Sequence, residues 1–571
     1  MSIVTPSGAV VARVSGPRRQ QSPVGGYVHG VVVLALLLAI ATLALVVTPP
    51  SPPGIAEFAP RASETIDEAL KQQASQFGSG EGGDCGAGQD CAAGAGTGVT
   101  TTTTSLPGLA PGTAPPKRII EQARVKHCVG DPPRQTEDPQ SPPCANYWEG
   151  DNGGSTSKGV TGDEIRVAYP VETGSDVFEK FVAFFNKRFQ FFGRQIRGVP
   201  VKSTNREAYA VAADEEAHAF AALDFEQDIN VYVSGEPFFR ELARRKVIGV
   251  AGMTRRFTDS DINAMAPYYW QYEPSLDFLE RQAAALVCRL HNAPASHAGA
   301  EFRLKPRRFA VLYERYPDGS TLPMKTLDDA LARCGEKVPR YEIADATVNG
   351  RTGRGQDMRD KGITSVIVMA GPSTFTGEME GYAQVSFEPE LLTTGYSLPQ
   401  HELQMQTFGD AGRRSHMFGV GQFNKLNAEA DEPAFWAAKE ANPDDDTIRG
   451  QAQGFFFYQW YYALLLLASG IQQAGPHLTP TTFAEGLEKT KFPNPGAGQA
   501  PYWQAHVGFG PGDHTMVDDV TAVWWNESAP AYRSPTNPRG GWCYIAQGAR
   551  HTAFAWPADA DDRFFDLSTC R

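Results

Sequence analysis

Two doubly wound α/β lobes are what this sequence predicts, and three observations carry the prediction. From Lys158 onward, short apolar runs alternate with helical segments, the order of parallel strands joined by crossover helices. One run, Ser365-Val366-Ile367-Val368-Met369-Ala370, is apolar throughout, as a strand buried on both faces of a parallel sheet must be. The alternation comes in two series, one ending with an expected strand at 268–271 and one starting at Phe309, hence two lobes.

The 571 residues suffice for several domains. Of these, 41% are hydrophobic and 20% charged, so a large core can form. The net charge of -13, without a dense Lys/Arg block, argues against a nucleic-acid partner. Residues 31–47 read VVVLALLLAIATLALVV without a charge. Arg13, Arg18 and Arg19 precede this run, and no acidic residue occurs before Glu57. Basic flanks ahead of an apolar run put the N-terminal segment, residues 1–30, in the cytoplasm. The run is at the short end for a spanning helix and ends in Thr48-Pro49-Pro50 rather than small-x-small, so an uncleaved single-pass anchor is favoured over a cleaved signal. The expected location is the cell membrane, with the C-terminal domain outside the cytoplasm.

Residues 48–118 are rich in Pro, Gly and Thr and read as a flexible linker that gives a folded head its reach. Residues 119–157 carry two cysteines and many prolines and read as a stapled lead-in. Eight cysteines outside the cytoplasm suggest disulfides. Their order suggests local pairs: Cys85 with Cys91, Cys128 with Cys144, Cys288 with Cys334, and Cys543 with Cys570.

In the first series, Ile165, Val167 and Tyr169 alternate as in a strand. A helix follows with Phe178, Phe181, Val182, Phe185, Phe189 and Phe192 on one face, closed at Gly193. Strands are expected at 199–202, 229–233, 247–251 and 268–271, with helices such as 212–223 and 237–244 between them. In the second series, 309–313, 341–343 and 365–370 read as strands and 322–334 as a helix. The run FFFYQWYYALLLL, 455–467, is too short to cross a membrane and reads as a core helix.

No GxSxG, HExxH or Walker signature occurs. The acidic groups Asp444-Asp445-Asp446 and Asp559, Asp561, Asp562, Asp566 lack the spacing of a calcium loop. Nothing here calls for an enzyme, a cofactor or a metal. Five polar loops stand out instead, each after an expected strand: Ser234-Gly235, Gly252-Met253-Thr254, Trp270-Gln271, Tyr316-Pro317-Asp318-Gly319 and Gly371-Pro372-Ser373-Thr374. Ligands of open α/β sheets bind outside the carboxyl ends of the strands. Ser234, Gly235, Thr254, Trp270, Tyr316 and Ser373 are therefore the candidate ligand-binding residues, expected to face one cavity. Each loop read alone is an ordinary turn.

Several motifs resemble those of the branched-chain amino-acid ABC-transporter binding proteins, which have the type I periplasmic binding fold. They are Lys158-Gly159-Val160-Thr161-Gly162-Asp163-Glu164-Ile165-Arg166-Val167, Phe185-Asn186-Lys187-Arg188 with Phe192-Gly193-Arg194, Tyr316-Pro317-Asp318-Gly319, and Ala474-Gly475-Pro476 leading to Thr479-Pro480. The resemblance covers residues 158–571. It implies three crossings between lobes, placed near Glu273, from Phe418 to Gln422, and from His506 to Gly510. Lobe one would then be 158–273 with 423–505, and lobe two 274–418 with 510–571. The resemblance also implies that Ser234 and Thr254 hold a ligand carboxylate and that Tyr316 is a lobe-two contact. The family's acidic partner for a ligand ammonium is missing after Gly371; the nearest acid is Glu378. The expected function is to capture a small organic ligand between the lobes and pass it to an ABC permease. The alternative is a tethered sensor that uses the same clamp with a signalling partner.

Overall fold

A computed structural model describes residues 127–571, except 172–174, 203–205, 225–235, 252–256, 316–318, 397–401, 407–408, 429–430, 453–454, 495–504, 535–536, 553–555, 557–562 and 571. The expected anchor, linker and Cys85–Cys91 pair lie outside the described residues. Among the described residues no helix is long and apolar enough to cross a membrane.

The first sheet holds β1 (Glu164–Pro170), β2 (Gln195–Val201), β3 (Ala221–Asp224), β4 (Ile248–Ala251) and β5 (Tyr269–Gln271). They run in the order β2-β1-β3-β4-β5, and every pairing is parallel. Between them come α1 (Ser175–Arg188), α2 (Arg206–Glu215), α3 (Glu236–Arg244) and α4 (Asp259–Ala264). Two expectations fail here: α1 ends at Arg188, so Phe189 and Phe192 lie beyond it and Phe192 takes a positive φ, and no helix runs over 212–223. Helix α2 ends at Glu215, His218 takes a positive φ, and Ala221, Ala222 and Leu223 form a fully buried central strand. Alanine is the best helix former, but propensity is worth under about 1 kcal/mol per residue, and burial between two helical layers overrides it. The strand expected at 229–233 lies outside the described residues.

The chain then enters α5 (Leu276–Leu290), which Ser275 caps by accepting the Phe278 amide. The second sheet follows with β6 (Phe309–Glu314), α6 (Lys325–Ala332), β7 (Arg340–Ile343), α7 (Val348–Asp360), β8 (Ser365–Met369), α8 (Pro372–Gln384), β9 (Glu390–Thr394), α9 (Glu402–Gln406), α10 (Ala411–Arg414) and β10 (Met417–Gly421). Strands β6 to β10 run in the order β7-β6-β8-β9-β10. The two sheets thus share one order, with their first, second, third, fourth and fifth strands placed 2-1-3-4-5. Into the second sheet the chain also brings β11 (Val520–Pro530) and β12 (Arg539–Tyr544), both antiparallel, with the short β13 (Arg550–His551) beside β11.

Between β10 and β11 the chain returns to the first sheet as α11 (Pro433–Ala441), α12 (Ile448–Gln451), α13 (Phe455–Ala474) and α14 (Pro480–Lys489). As expected, α13 is a core helix. Phe181 packs on Phe457, and Phe185 stacks on Tyr461 at 5.7 Å between ring centroids. The core of the first lobe joins α1, β1, β3, β4, α11, α13 and α14, and it includes Val507, Met516 and Val517. The second sheet has an apolar cluster on each face.

The chain therefore crosses at 272–275, at 422–432 and at 518–519. Two boundaries differ from expectation. Phe418 lies inside β10 and pairs with both β9 and β11, so the second crossing starts four residues later. Residues 507–517 pack with the first lobe, so the third crossing follows them. A change of lobe has no local sequence signature; only packing defines it.

Among the described residues three disulfides close local loops, each between partners that sequence order suggests: Cys128–Cys144, Cys288–Cys334 and Cys543–Cys570, with Cα separations of 5.5, 5.6 and 4.5 Å. The second joins α5 to the turn after α6, the two neighbouring helices expected to carry it.

Candidate functional site

A 2-1-3-4-5 sheet reverses direction between its first and third strands. That is where ligands of such sheets lie, outside the carboxyl ends. This chain has two such points, one between β1 and β3 and one between β6 and β8. The first crossing leaves from the carboxyl end of β5 and the second from the carboxyl end of β10, so both carboxyl edges open at the inter-lobe boundary.

The described residues at the second switch point place a carboxylate there. Glu314, the last residue of β6, is 4% exposed and accepts the Gly371 amide at 3.0 Å. Gly371 caps α8, so this carboxylate meets the positive end of a helix. Glu378, the nearest acid after Gly371 in sequence, is fully buried within α8 and accepts Arg354 Nε at 2.9 Å. The acid at this switch point comes from the end of β6, not from the residues that follow Gly371.

Ser234, Gly235, Thr254 and Tyr316 lie outside the described residues. Ser373 is the second residue of α8, at the carboxyl end of β8, and its side chain is not described. Trp270 requires a correction. It is 0% exposed, stacks on His514 at 4.0 Å, meets Phe483 and Phe509 edge-on, and donates its indole N–H to Pro267 O at 2.9 Å. With its ring enclosed by protein and its one polar atom satisfied, it is a core residue. The alternation along β5 turns Trp270 toward the α14 side, and sequence alone does not say which side that is.

Beside the carboxyl ends, the three crossings are tied together. Gln271 and Tyr272 carbonyls accept the Met516 and Val517 amides at 2.9 and 3.1 Å, so the first crossing runs alongside the approach to the third. Arg550 Nε donates to Asp519 Oδ1 at 2.8 Å, while its other nitrogens donate to Phe423 O at 2.8 Å and Gln422 O at 3.0 Å. This joins the second crossing to the third. The Ala505 amide donates to Asn424 Oδ1 at 2.8 Å.

A fourth chain sits among them. Gln140 Oε1 accepts Tyr272 OH at 3.1 Å and Asn424 Nδ2 at 3.0 Å, and Gln140 Nε2 donates to Ala505 O at 3.0 Å. Nearby, Asp138 is buried and accepts the Gln140 amide and Tyr461 OH, both at 2.8 Å. Burial pushes its carboxyl up to about 6 despite these bonds and Arg134. Sequence reading left Asp138, Gln140, Asn424, Asp519 and Arg550 unremarked. The one available signal was the pair Tyr461 and Tyr462 inside an apolar helix, since buried tyrosine hydroxyls need partners.

No family model matches the chain, and no curated protein matches it. Solved structures similar to this chain include ABC transporter substrate-binding proteins. One from Aeropyrum pernix is 15% identical, covers 70% of this chain and 97% of its own, and has a TM-score of 0.48. A fatty acid ABC transporter substrate-binding protein from Thermomonospora curvata is 12% identical, covers 72% and 97%, and scores 0.46. A branched chain amino acid ABC transporter structure from Thermus thermophilus, with bound valine, is 11% identical, covers 68% and 96%, and scores 0.46.

Proposed function

We propose that this chain is a non-enzymatic solute-binding clamp. It takes a small organic ligand between its lobes at the carboxyl ends of the two sheets and delivers it to an ABC-type importer. The observation that carries this reading is the shared 2-1-3-4-5 order, which gives two switch points, in a chain whose first two crossings leave from carboxyl ends. Hinged closure of two such lobes around a ligand is an established motion. In this reading Ser234, Gly235, Thr254, Tyr316 and Ser373 face the ligand, and Glu314 supplies negative charge on the lobe-two side. Residues 31–47 anchor the chain in the cell membrane with the lobes outside the cytoplasm, and 48–118 provide reach. The membrane-tethered sensor stays second, since nothing in the chain favours a signalling partner over a permease.

A thermal-shift screen of the full-length protein tests the reading. The probes are valine, leucine, 4-hydroxybenzoate and a long-chain fatty acid. A saturable rise in Tm with one probe class, lost in Glu314→Gln or Ser373→Ala, supports it. A rise that both variants keep removes the site, and no rise with any probe class removes these ligands.

A further inference from the structure

The lead-in is a polar segment in a buried place. Gln135, Thr136, Asp138, Gln140 and Ser141 are each 0% exposed, and none is apolar. Burying such groups is costly unless their hydrogen bonds are remade, so the segment must be built for its surroundings. Within it, Ser141 Oγ donates to Asp138 O at 2.7 Å and the Thr136 amide donates to Ser141 Oγ at 3.2 Å. The Cys128–Cys144 bridge and the paired backbones of Val129 with Arg134 and Arg134 with Pro143 close its base. Its outer bonds go to the first lobe: Gln135 to the Arg188 carbonyl, Tyr461 OH to Asp138 at 2.8 Å, and Gln472 Nε2 to Pro143 O at 3.1 Å. Gln140 reaches further: its one amide bonds to Tyr272 in the first crossing, to Asn424 in the second, and to Ala505, whose neighbour His506 donates its amide to Asp519 of the third.

We infer that residues 134–143 are a wedge fixed in the inter-lobe hinge, and that Gln140 is the positioning residue through which the wedge sets the register of the three crossings. The inference rests on reading the chain as a clamp, because only in a clamp does hinge register set the opening of a site. Turning one lobe against the other moves the crossings past each other. A single amide bonded to the first two, and to the segment that leads into the third, must break at least one bond for that to happen. The closed base keeps the wedge from yielding instead.

Hydrogen–deuterium exchange on the full-length protein without ligand tests this separately from any binding result. In Gln140→Leu, the amides of Ala505, His506, Met516 and Val517 should exchange about ten-fold faster, as loss of one net hydrogen bond implies. Amides inside β1 and β6 should be unchanged, and Ser141→Ala, which alters only bonds within the wedge, should leave the four hinge amides slow. Unchanged hinge exchange in Gln140→Leu, or equal acceleration in both sheets, overturns the inference. If Gln140→Leu does not fold, Gln140→Glu replaces it. When protonated, the carboxyl can still donate to Ala505 O; when ionised, it cannot. Hinge exchange relative to wild type at the same pH should therefore rise as the Glu ionises, and a pH-independent ratio overturns the inference.

Discussion

Arg550 and Asp519 form an ion pair in which neither side chain is more than 1% exposed, with Nε and Oδ1 2.8 Å apart. The pair is satisfied on every side described. Arg550 also donates to three carbonyls, at Gln422, Phe423 and Asp519, and Asp519 also meets the His506 imidazole at 2.6 Å. Removing one member of a buried pair strands the other. Arg550→Ala should therefore cost about 3–5 kcal/mol of unfolding free energy, and the double variant with Asp519→Ala should cost less than the sum of the singles. Urea unfolding of the four proteins measures both; strict additivity would mean that the pair is not coupled.

Asp138 gives stability a pH slice of known sign. Its folded pKa of about 6 lies above the ordinary 3.8, so the folded state holds the proton more tightly than the unfolded one. Its contribution is complete below about 4, falls as pH rises through about 6, and is constant above; the span is about 3 kcal/mol. The groups facing it are Arg134, Tyr461, Tyr462, Tyr272 and Glu432. Other buried acids, Glu280, Glu402 and Glu432, are raised as well, so wild type keeps a pH slope beyond this range. The Tm difference between wild type and Asp138→Asn should change between pH 4 and 6 and be flat above 7. A difference that does not vary with pH would show that Asp138 titrates normally.

The Cys288–Cys334 bridge spans 46 positions. Closing a loop of that length stabilises the folded state by about 4 kcal/mol in the chain-entropy picture. Peptide mapping without reduction should recover the two cysteines linked, and Cys288→Ser with Cys334→Ser should lower the urea midpoint without altering the remaining two bridges. Free thiols at both positions in the wild type would contradict the structure.

For Trp270→Ala the expectation is a loss of stability of about 3–5 kcal/mol, the range for removing a buried large aromatic. The fraction that stays folded should bind any stabilising probe with unchanged affinity. Calorimetric titration decides: a weaker Kd at full folding would return the ring to the ligand site.

Local periodicity carried most of the parallel strands into view, because a strand buried on both faces writes its burial directly as an apolar run. Phe309, Val366 and Ile248 are of this kind. Strand β3 escaped, since Ala221-Ala222 has no bulk to advertise and its burial comes from neighbours on both sides. Strands β9, β11 and β12 were not anticipated either, β10 was read as part of a crossing, and the orientation of Trp270 depends on what α14 brings to that face. The wedge was the least legible part. Its residues look like surface, and the partners that make it an interior lie in three distant stretches of chain.

The first sheet is covered on one side by α11, α13 and α14, whose sequence follows the whole second sheet core through β10. Lys180 on α1 bonds to Thr447, 267 positions later. During synthesis, the phenylalanine face of α1 has no native cover until those helices emerge. The first half of the chain therefore cannot complete its fold in the order in which it is made. Contacts of such long range fold slowly and leave apolar surface open meanwhile. A chain truncated before residue 433 should need a chaperone and should not accumulate as a folded half.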